Sequence, residues 1–296
     1  MSEIKHIVLS GGAYLGLYQF GVLKYLNEKN FYQLENIETL HGTSIGGFIS
    51  IILSLNLEWN NLIEYFVKRP WDKSIQITPN LILDVIHKKG IFGEDVFRIA
   101  LEPLFKSKDI DININLREFY EITKKDIFLY SVNLNNFKLT QISHKSHPDL
   151  SVIKAIHMTC ALPYVFQPVW YENNYYIDGA LLNNYPVNKC IEIIKDKNEK
   201  NILSLKFKFK KSKDNLNENT NLFEYGYILY KKLIKMNRQI EEKCDSEIEN
   251  EVLIPAELLN INDGFDVLQN EKKRKEYIDK GELYGKIFLD YKKKDN

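Results

Sequence analysis

The chain has 296 residues and is 44% hydrophobic, enough to bury one sizeable core in a large domain with appendages. Lys plus Arg and Asp plus Glu number 40 each, so the formal net charge is zero and nothing argues for nucleic acid as the main partner. Cys160, Cys190 and Cys244 are odd in number and far apart, which speaks against a disulfide framework and offers no metal-ligand spacing. The N-terminus lacks a signal-peptide h-region, and the longest mostly apolar stretch, residues 45–57, falls short of the roughly 20 residues a membrane span needs. The expectation is a reduced, cytoplasmic protein with at most peripheral membrane contact.

Ile7-Val8-Leu9 reads as a short strand that ends in Ser10-Gly11-Gly12. Apolar residues at three- and four-residue spacing then predict a helix over 16–28. A second strand, 37–41, meets a second glycine cluster at Gly42 to Gly47, followed by an apolar helix over 46–57. Strand, glycine turn and helix thus occur twice in sixty residues, the pattern of an α/β fold with parallel strands. Residues 58–125 look helical and polar with breaks at glycine and proline. Further strands are expected over 127–133 and 138–143, a short helix over 151–160, and a hairpin over 169–177 around Asn173-Asn174. A helix over 187–194 and a strand over 201–209 follow. Beyond Lys210, residues 211–221 read as a flexible loop, and two helices are expected over 222–243 and 267–292.

Gly42-Thr43-Ser44-Ile45-Gly46 fits the G-x-S-x-G pattern, placed where a strand turns into a helix. A nucleophilic serine there must sit on a tight turn so that its hydroxyl projects from the carboxyl edge of the sheet. The flanking positions lie so close to neighbouring backbone that a Cβ would clash, hence glycine at both. The helix begun there points its N-terminal dipole at a developing oxyanion.

A serine needs a base to act at neutral pH. An α/β-hydrolase would supply an acid and then a histidine after the serine. All six histidines (His6, His41, His87, His144, His147, His157) precede Asp178, and only one strand precedes the one that leads into Ser44. A histidine-free mechanism fits better, and Asp178-Gly179-Ala180, after the hairpin and before a turn-rich segment, is the better partner.

Three motifs in this order carry a resemblance: Ser10-Gly11-Gly12-Ala13-Tyr14-Leu15-Gly16, then Gly42 to Gly46, then Asp178-Gly179-Ala180. Ala155-Ile156, Ala161-Leu162-Pro163, Phe166-Gln167-Pro168 and Asn183-Asn184-Tyr185-Pro186 add to it. Over about the first 190 residues the sequence resembles the patatin-like phospholipase family. The resemblance implies a three-layer α/β/α sandwich; with the change of character beyond Lys210, residues 5–210 are expected as catalytic domain and 211–296 as a mainly helical C-terminal extension packing on it. It implies a Ser44–Asp178 dyad, an oxyanion hole from the N–H groups of Gly11, Gly12 and Ala13, and motif glycines at Gly16, Gly42, Gly46 and Gly179. It further implies lipid acyl hydrolysis of phospholipid or another acylglycerol, with no metal or cofactor. Two positions depart from the family pattern: Ala13 stands where a third glycine is usual, and Leu15 where Lys or Arg is usual. If residue 13 needs positive φ, alanine there costs on the order of 1 to 2 kcal/mol over glycine. The rival expectation is a non-catalytic module of the same fold that binds lipid or protein.

The loop over 10–16 also has part of a dinucleotide-binding turn, but Ala13 breaks G-x-G-x-x-G. Phe223, Tyr227, Tyr230, Leu233 and Ile234 form one apolar helical face, expected to pack on the core rather than to form a lid or membrane-facing surface. Lys272-Lys273-Arg274-Lys275 is interleaved with acids and is expected to be a solvated helix face rather than a headgroup site.

Overall fold

A computed structural model describes residues 3–75, 85, 87–194, 198–210, 216–244, 246, 248–257 and 261–294. The elements begin with β1 (His6–Leu9), α1 (Gly16–Glu28), β2 (Thr39–Thr43) and α2 (Ile45–Ser54). Helices α3 (Trp59–Lys68) and α4 (Trp71–Ser74), strand β3 (Gly90–Phe92), and helices α5 (Asp95–Lys106) and α6 (Leu116–Thr123) follow. Then come β4 (Asp126–Asn133), β5 (Lys138–Ile142), α7 (Val152–Cys160), β6 (Tyr164–Phe166), β7 (Val169–Tyr171) and β8 (Asn174–Asp178). The chain closes with α8 (Val187–Ile193), β9 (Ile202–Phe209), α9 (Leu222–Cys244), β10 (Asn250–Ala256), α10 (Ile261–Gln269) and α11 (Glu271–Lys294).

Local signals set several of these boundaries. Asn115 and Glu118 form a reciprocal capping box that starts α6, and the Ser151 side chain accepts the Lys154 N–H to start α7. Glu172 and Asn173 both have positive φ, 45° and 60°, which gives the β7–β8 hairpin the turn twist that two-residue connections favour. The turn therefore sits one residue earlier than the Asn173-Asn174 signal suggests.

The main sheet runs in the order β10-β9-β1-β2-β4-β8-β7, with β5 also on β4. Strands β10, β9, β1, β2 and β4 are parallel neighbours, whereas β5 and β8 pair antiparallel with β4. Alternation along the strands separates two faces. Ile7 and Leu9 of β1 and Leu203 and Leu205 of β9 join the large core under α1 and α2. Val8 and Ile202, one residue out of phase, pack with Val187 and Cys190 of α8 on the opposite face. Val132 and Ile177 join Tyr230 and Ile234 of α9 in a third cluster. Helix, sheet and helix therefore form the expected three layers.

The C-terminal part is woven into this arrangement. Strand β10, which the sequence reading did not foresee, extends the sheet at β9. The single helix expected over 267–292 is instead two, α10 and α11, with the break at Asn270. Helix α11 crosses α1 at a glycine pair: a Cβ on Gly21 would lie 2.0 Å from the Ile278 carbonyl oxygen, and one on Gly281 would lie 2.2 Å from that of Tyr18. Tyr18 and Tyr277 stack beside this crossing with ring centroids 4.7 Å apart.

The basic run over 272–275 is not uniformly solvated. Lys273 pairs with Asp263 and Asp266, and Lys275 with Asp279. Arg274, in contrast, is 4% exposed and donates to the carbonyls of Val67, Arg69, Val267 and Leu268. It thus satisfies carbonyls at the C-terminal ends of α3 and α10, where a cation also complements the helix dipole. Of the apolar face read on α9, Tyr230 and Ile234 are buried while Leu233 is 42% exposed. The Phe223 side chain and residues 211–215 of the expected loop lie outside the described residues. No described helix is long and apolar enough to cross a membrane.

The α1–α11 crossing yields a first expectation. Gly21→Ala pushes a methyl group into backbone that cannot yield without separating the helices, so it should cost about 1–3 kcal/mol. Thermal unfolding should show a lowered Tm, and limited proteolysis should show early cleavage within α11. An unchanged Tm would mean that the crossing is not a tight contact.

Candidate active site

The site begins with a topological event on β4. The strand has two edges, and β5 occupies one of them along Leu129–Asn133. Strand β2 pairs with the other edge up to Thr43↔Tyr130, and β8 pairs from Ser131↔Asp178 onward. Strands β2 and β8 therefore run toward each other along the same edge and meet end to end. Ser44 follows the last residue of β2, and Asp178 is the last residue of β8. Gly179 makes the junction possible, since a Cβ there would stand 2.2 Å from the Tyr130 carbonyl oxygen.

Ser44 has φ 56° and ψ −126°, a conformation rare for a residue with a side chain and held only where the surroundings enforce it. Its own N–H donates to Thr159 Oγ1 at 2.9 Å, and the Thr159 hydroxyl donates to the Tyr130 carbonyl at 2.6 Å. Thr43 Oγ1 donates to the Asn183 carbonyl at 2.9 Å, tying the elbow to the turn after Asp178. A Cβ on Gly42 would fall 2.3 Å from the Gly46 carbonyl, and one on Gly46 would fall 2.3 Å from the Leu9 carbonyl oxygen. Both glycines are thus where the turn touches neighbouring backbone.

The Ser44 hydroxyl donates to Asp178 Oδ2 at 2.6 Å. The other carboxylate oxygen accepts the Ala180 N–H at 2.8 Å, which fixes the carboxylate plane. Asp178 is 1% exposed, and burial raises its pKa from 3.8 to about 6 despite the opposing hydrogen bonds from Ser44 and Ala180 and the charge of Arg238. That moves an ordinarily weak base toward neutral pH.

No histidine among the described residues bonds to either group. His41 is fully buried against Tyr130, with a pKa lowered to about 3 by desolvation first and by His6 second, so it is neutral at pH 7. His157 is buried beside Phe97, and His144 stacks on Tyr120 at the far end of β4, beside Asp126. Cys160 lines the space beside Ser44, but burial keeps its thiol well above the usual range and hence protonated. Among the described residues no group of three or more His, Cys, Asp or Glu converges as a metal site requires.

The glycine-rich loop lies against the elbow. A Cβ on Gly11 would stand 3.2 Å from Ser44 Cβ and from the Thr43 carbonyl oxygen, and one on Gly16 would stand 2.3 Å from Ile45 Cγ1. The N–H of Gly11, expected to point at an oxyanion, is instead bonded to the Asn184 carbonyl at 3.0 Å. That removes it from the expected set of three donors. Gly12 and Ala13 N–H groups bond to no acceptor among the described residues. Ala13 has φ 46°, so the condition attached to alanine at this position is met. Thr159, Asn184 and Arg238 were not singled out as site residues in the sequence. Asn184 alone had a local signal, the Asn183-Asn184-Tyr185-Pro186 segment.

Ser44 opens onto a cavity of about 300 Å³ with walls that are nearly all apolar, including Phe48, Trp71, Phe97 and Phe166. Phe265 and Leu268 of α10 and Tyr227 of α9 complete it, so the C-terminal helices contribute part of the wall. The volume is at the lower end for small-molecule sites, and the lining suits a hydrocarbon chain.

Two expectations follow from this geometry. A carboxyl group that binds its proton more tightly in the folded state favours folding at pH below about 4. That contribution is lost as pH rises, and above about 6 the buried charge costs up to about 3 kcal/mol. Asp178→Asn should therefore raise Tm at pH 8 and have much less effect at pH 5; equal effects at both would contradict the buried carboxylate. Ala13→Gly should add about 1 kcal/mol of stability by removing left-handed strain. A loss of stability in urea titration would show the loop to be placed otherwise.

The family model described as patatin-like phospholipase matches residues 7–191, which include both β-turn-helix units and Asp178. Probable lipid hydrolase 463L of Invertebrate iridescent virus 6 is 30% identical over 199 residues, covering 66% of this chain and 66% of the relative. Uncharacterized protein R571 of Acanthamoeba polyphaga mimivirus is 26% identical over 186 residues, covering 63% of this chain and 61% of that one. The chain thus spans slightly under two thirds of the length of these relatives. Among solved structures, VipD from Legionella pneumophila shares the fold at a TM-score of 0.57 and 17% identity, over 98% of this chain and 67% of VipD. With more than half of its length matched by the family model, the chain belongs to the patatin-like phospholipase family.

Proposed function

We propose that this protein hydrolyses carboxylic ester bonds of lipids, phospholipid or another acylglycerol, with Ser44 as nucleophile and Asp178 as its base. The observation that carries this reading is the 2.6 Å contact between the hydroxyl of Ser44, which lines an apolar cavity, and the buried Asp178 carboxylate. The family and the 463L relative support lipid as the substrate class. In this reading residues 5–210 carry the chemistry and residues 211–296 pack on them and help enclose the acyl chain. Substrate would be met at a lipid surface by peripheral contact, without a cofactor.

The reaction runs in two halves. Ser44 Oγ attacks the ester carbonyl carbon while Asp178 Oδ2 takes its proton. The N–H groups of Gly12 and Ala13, assisted by the N-terminus of α2, hold the tetrahedral oxyanion; one such donor is typically worth roughly 3 to 4 kcal/mol. Collapse breaks the ester C–O bond, and the leaving alkoxide takes the proton from Asp178. Water then attacks the acyl-enzyme with Asp178 accepting its proton, and collapse releases the fatty acid and restores the Ser44 hydroxyl.

The test uses a short-chain p-nitrophenyl ester and mixed phospholipid and acylglycerol vesicles. Ser44→Ala and Asp178→Asn should each lower kcat by about a thousandfold or more. Because the base must be ionised, kcat/KM should fall as pH drops through about 6 and be flat above it. Turnover that survives both substitutions would sink the enzyme reading, and identification of the released products would name the ester.

A further inference from the structure

The loop over 10–16 carries no charged side chain, yet it stands at the point where negative charge would develop. The cation nearest in the network comes from α9. Arg238 donates from Nη2 to Asn184 Oδ1 at 3.0 Å, and its guanidinium lies over the Phe209 ring at 4.3 Å. Asn184 is 4% exposed and grips one residue twice: its carbonyl accepts the Gly11 N–H at 3.0 Å, and its Nδ2 donates to the Gly11 carbonyl at 3.3 Å. Arg238 and Gly11 thereby fix the Asn184 amide from both ends, since the flipped amide would set its NH₂ against the guanidinium. Asn184 Oδ1 also occupies the space a Cβ on Gly11 would need, 2.7 Å away. Arg238, at position 238, lies outside the residues that the family model matches.

We propose that Arg238 is a positioning residue for the ester hydrolysis, which locks the oxyanion loop against Ser44 through Asn184 and Gly11. The inference rests on the Ser44–Asp178 reading above and deepens it. A planar guanidinium stacked on an aromatic ring and held by an amide oxygen is a rigid fixture. A bond to a charged donor is also stronger than a neutral one. The chain of contacts makes the geometry of the Gly12 and Ala13 donors depend on a side chain 60 positions beyond Asp178.

Arg238 also acts on the base. The groups facing Asp178 are Ser44 from the elbow, the Ala180 N–H, Cys160 from α7, and Tyr230 and Arg238 from α9. Arg238 is the cation among these, and it favours the ionised carboxylate. Its removal leaves burial less opposed, so the proton is held more tightly and the acidic limb of the rate profile moves to higher pH.

The experiment uses the full chain with Arg238→Met, Arg238→Lys, Asn184→Ala and the Arg238→Met/Asn184→Ala pair. Hydrolysis of p-nitrophenyl butyrate is followed across pH, alongside hydrogen exchange of a peptide spanning 9–17. For Arg238→Met we expect kcat to fall about 10- to 100-fold with KM within about twofold. The acidic limb should move upward in pH, and residues 9–17 should exchange faster while the sheet stays protected. Arg238→Lys keeps the charge and should restore the acidic limb without restoring the protection. On the plateau above the acidic limb, the double variant should be no slower than Asn184→Ala alone, because there both changes cut one chain of contacts. Wild-type rate, profile and exchange in Arg238→Met, or additive losses in the pair on that plateau, would overturn the proposal. If wild-type hydrolysis proves independent of Ser44, the enzyme reading fails instead. The exchange measurement then still decides whether Arg238 holds the loop.

Discussion

The structure depends on two strands meeting head to head on one edge of β4. Strand β2 arrives parallel to β4 and stops opposite Tyr130; β8 arrives antiparallel and stops opposite Ser131. Adjacent register positions on one strand are separated by only one residue's rise, so the side chains that end the two strands are forced together. Ser44 and Asp178, 134 positions apart in sequence, need no flexible reach to form their 2.6 Å contact. The conditions for this junction are steric. Gly179 must let the chain pass the Tyr130 carbonyl, and Gly42 and Gly46 must let the elbow close against Leu9 and the start of α2.

The same junction sets the electrostatics. Placing Asp178 where β8 meets β2 against β4 buries it, and burial raises its pKa to about 6. The arrangement is costly to the fold at neutral pH, as is the left-handed backbone of Ser44 and Ala13. Strain and a buried charge collect within a few ångströms of one another, while the surrounding sheet is an ordinary alternating core. The stability of the three layers offsets what the site gives up.

Around this pair the C-terminal region does more than cover a surface. It adds β10 to the sheet, crosses α1 at Gly21 and Gly281, and closes part of the apolar cavity with Phe265 and Leu268. Arg274 shows how misleading a charge run is when read along the chain. Three of the four basic residues over 272–275 are lysines, and two of these pair with acids. The fourth is drawn inward because two helix ends present unsatisfied carbonyls to it.

Sequence by itself determined the repeated strand, glycine turn and helix, the period-2 strands, the β7–β8 hairpin, and the three ordered motifs containing Ser44 and Asp178. These are local: they rest on spacing, on glycine where backbone closes on backbone, and on turn residues that tolerate positive φ. Tertiary structure decided the rest. Whether the Gly11 N–H is free depends on Asn184 arriving from the turn after Asp178, and no pattern within residues 10–16 encodes that arrival. Strand β10 contains Pro255 and the outward-facing Leu253, which blur its alternation, and its pairing is with a strand 47 positions earlier in register, so the local pattern did not mark it. Arg238 lies on an amphipathic helix whose sequence records which face is apolar but not which buried amide its polar face will meet. Periodicity fixes the faces of an element, whereas its partners are chosen by packing across the whole chain.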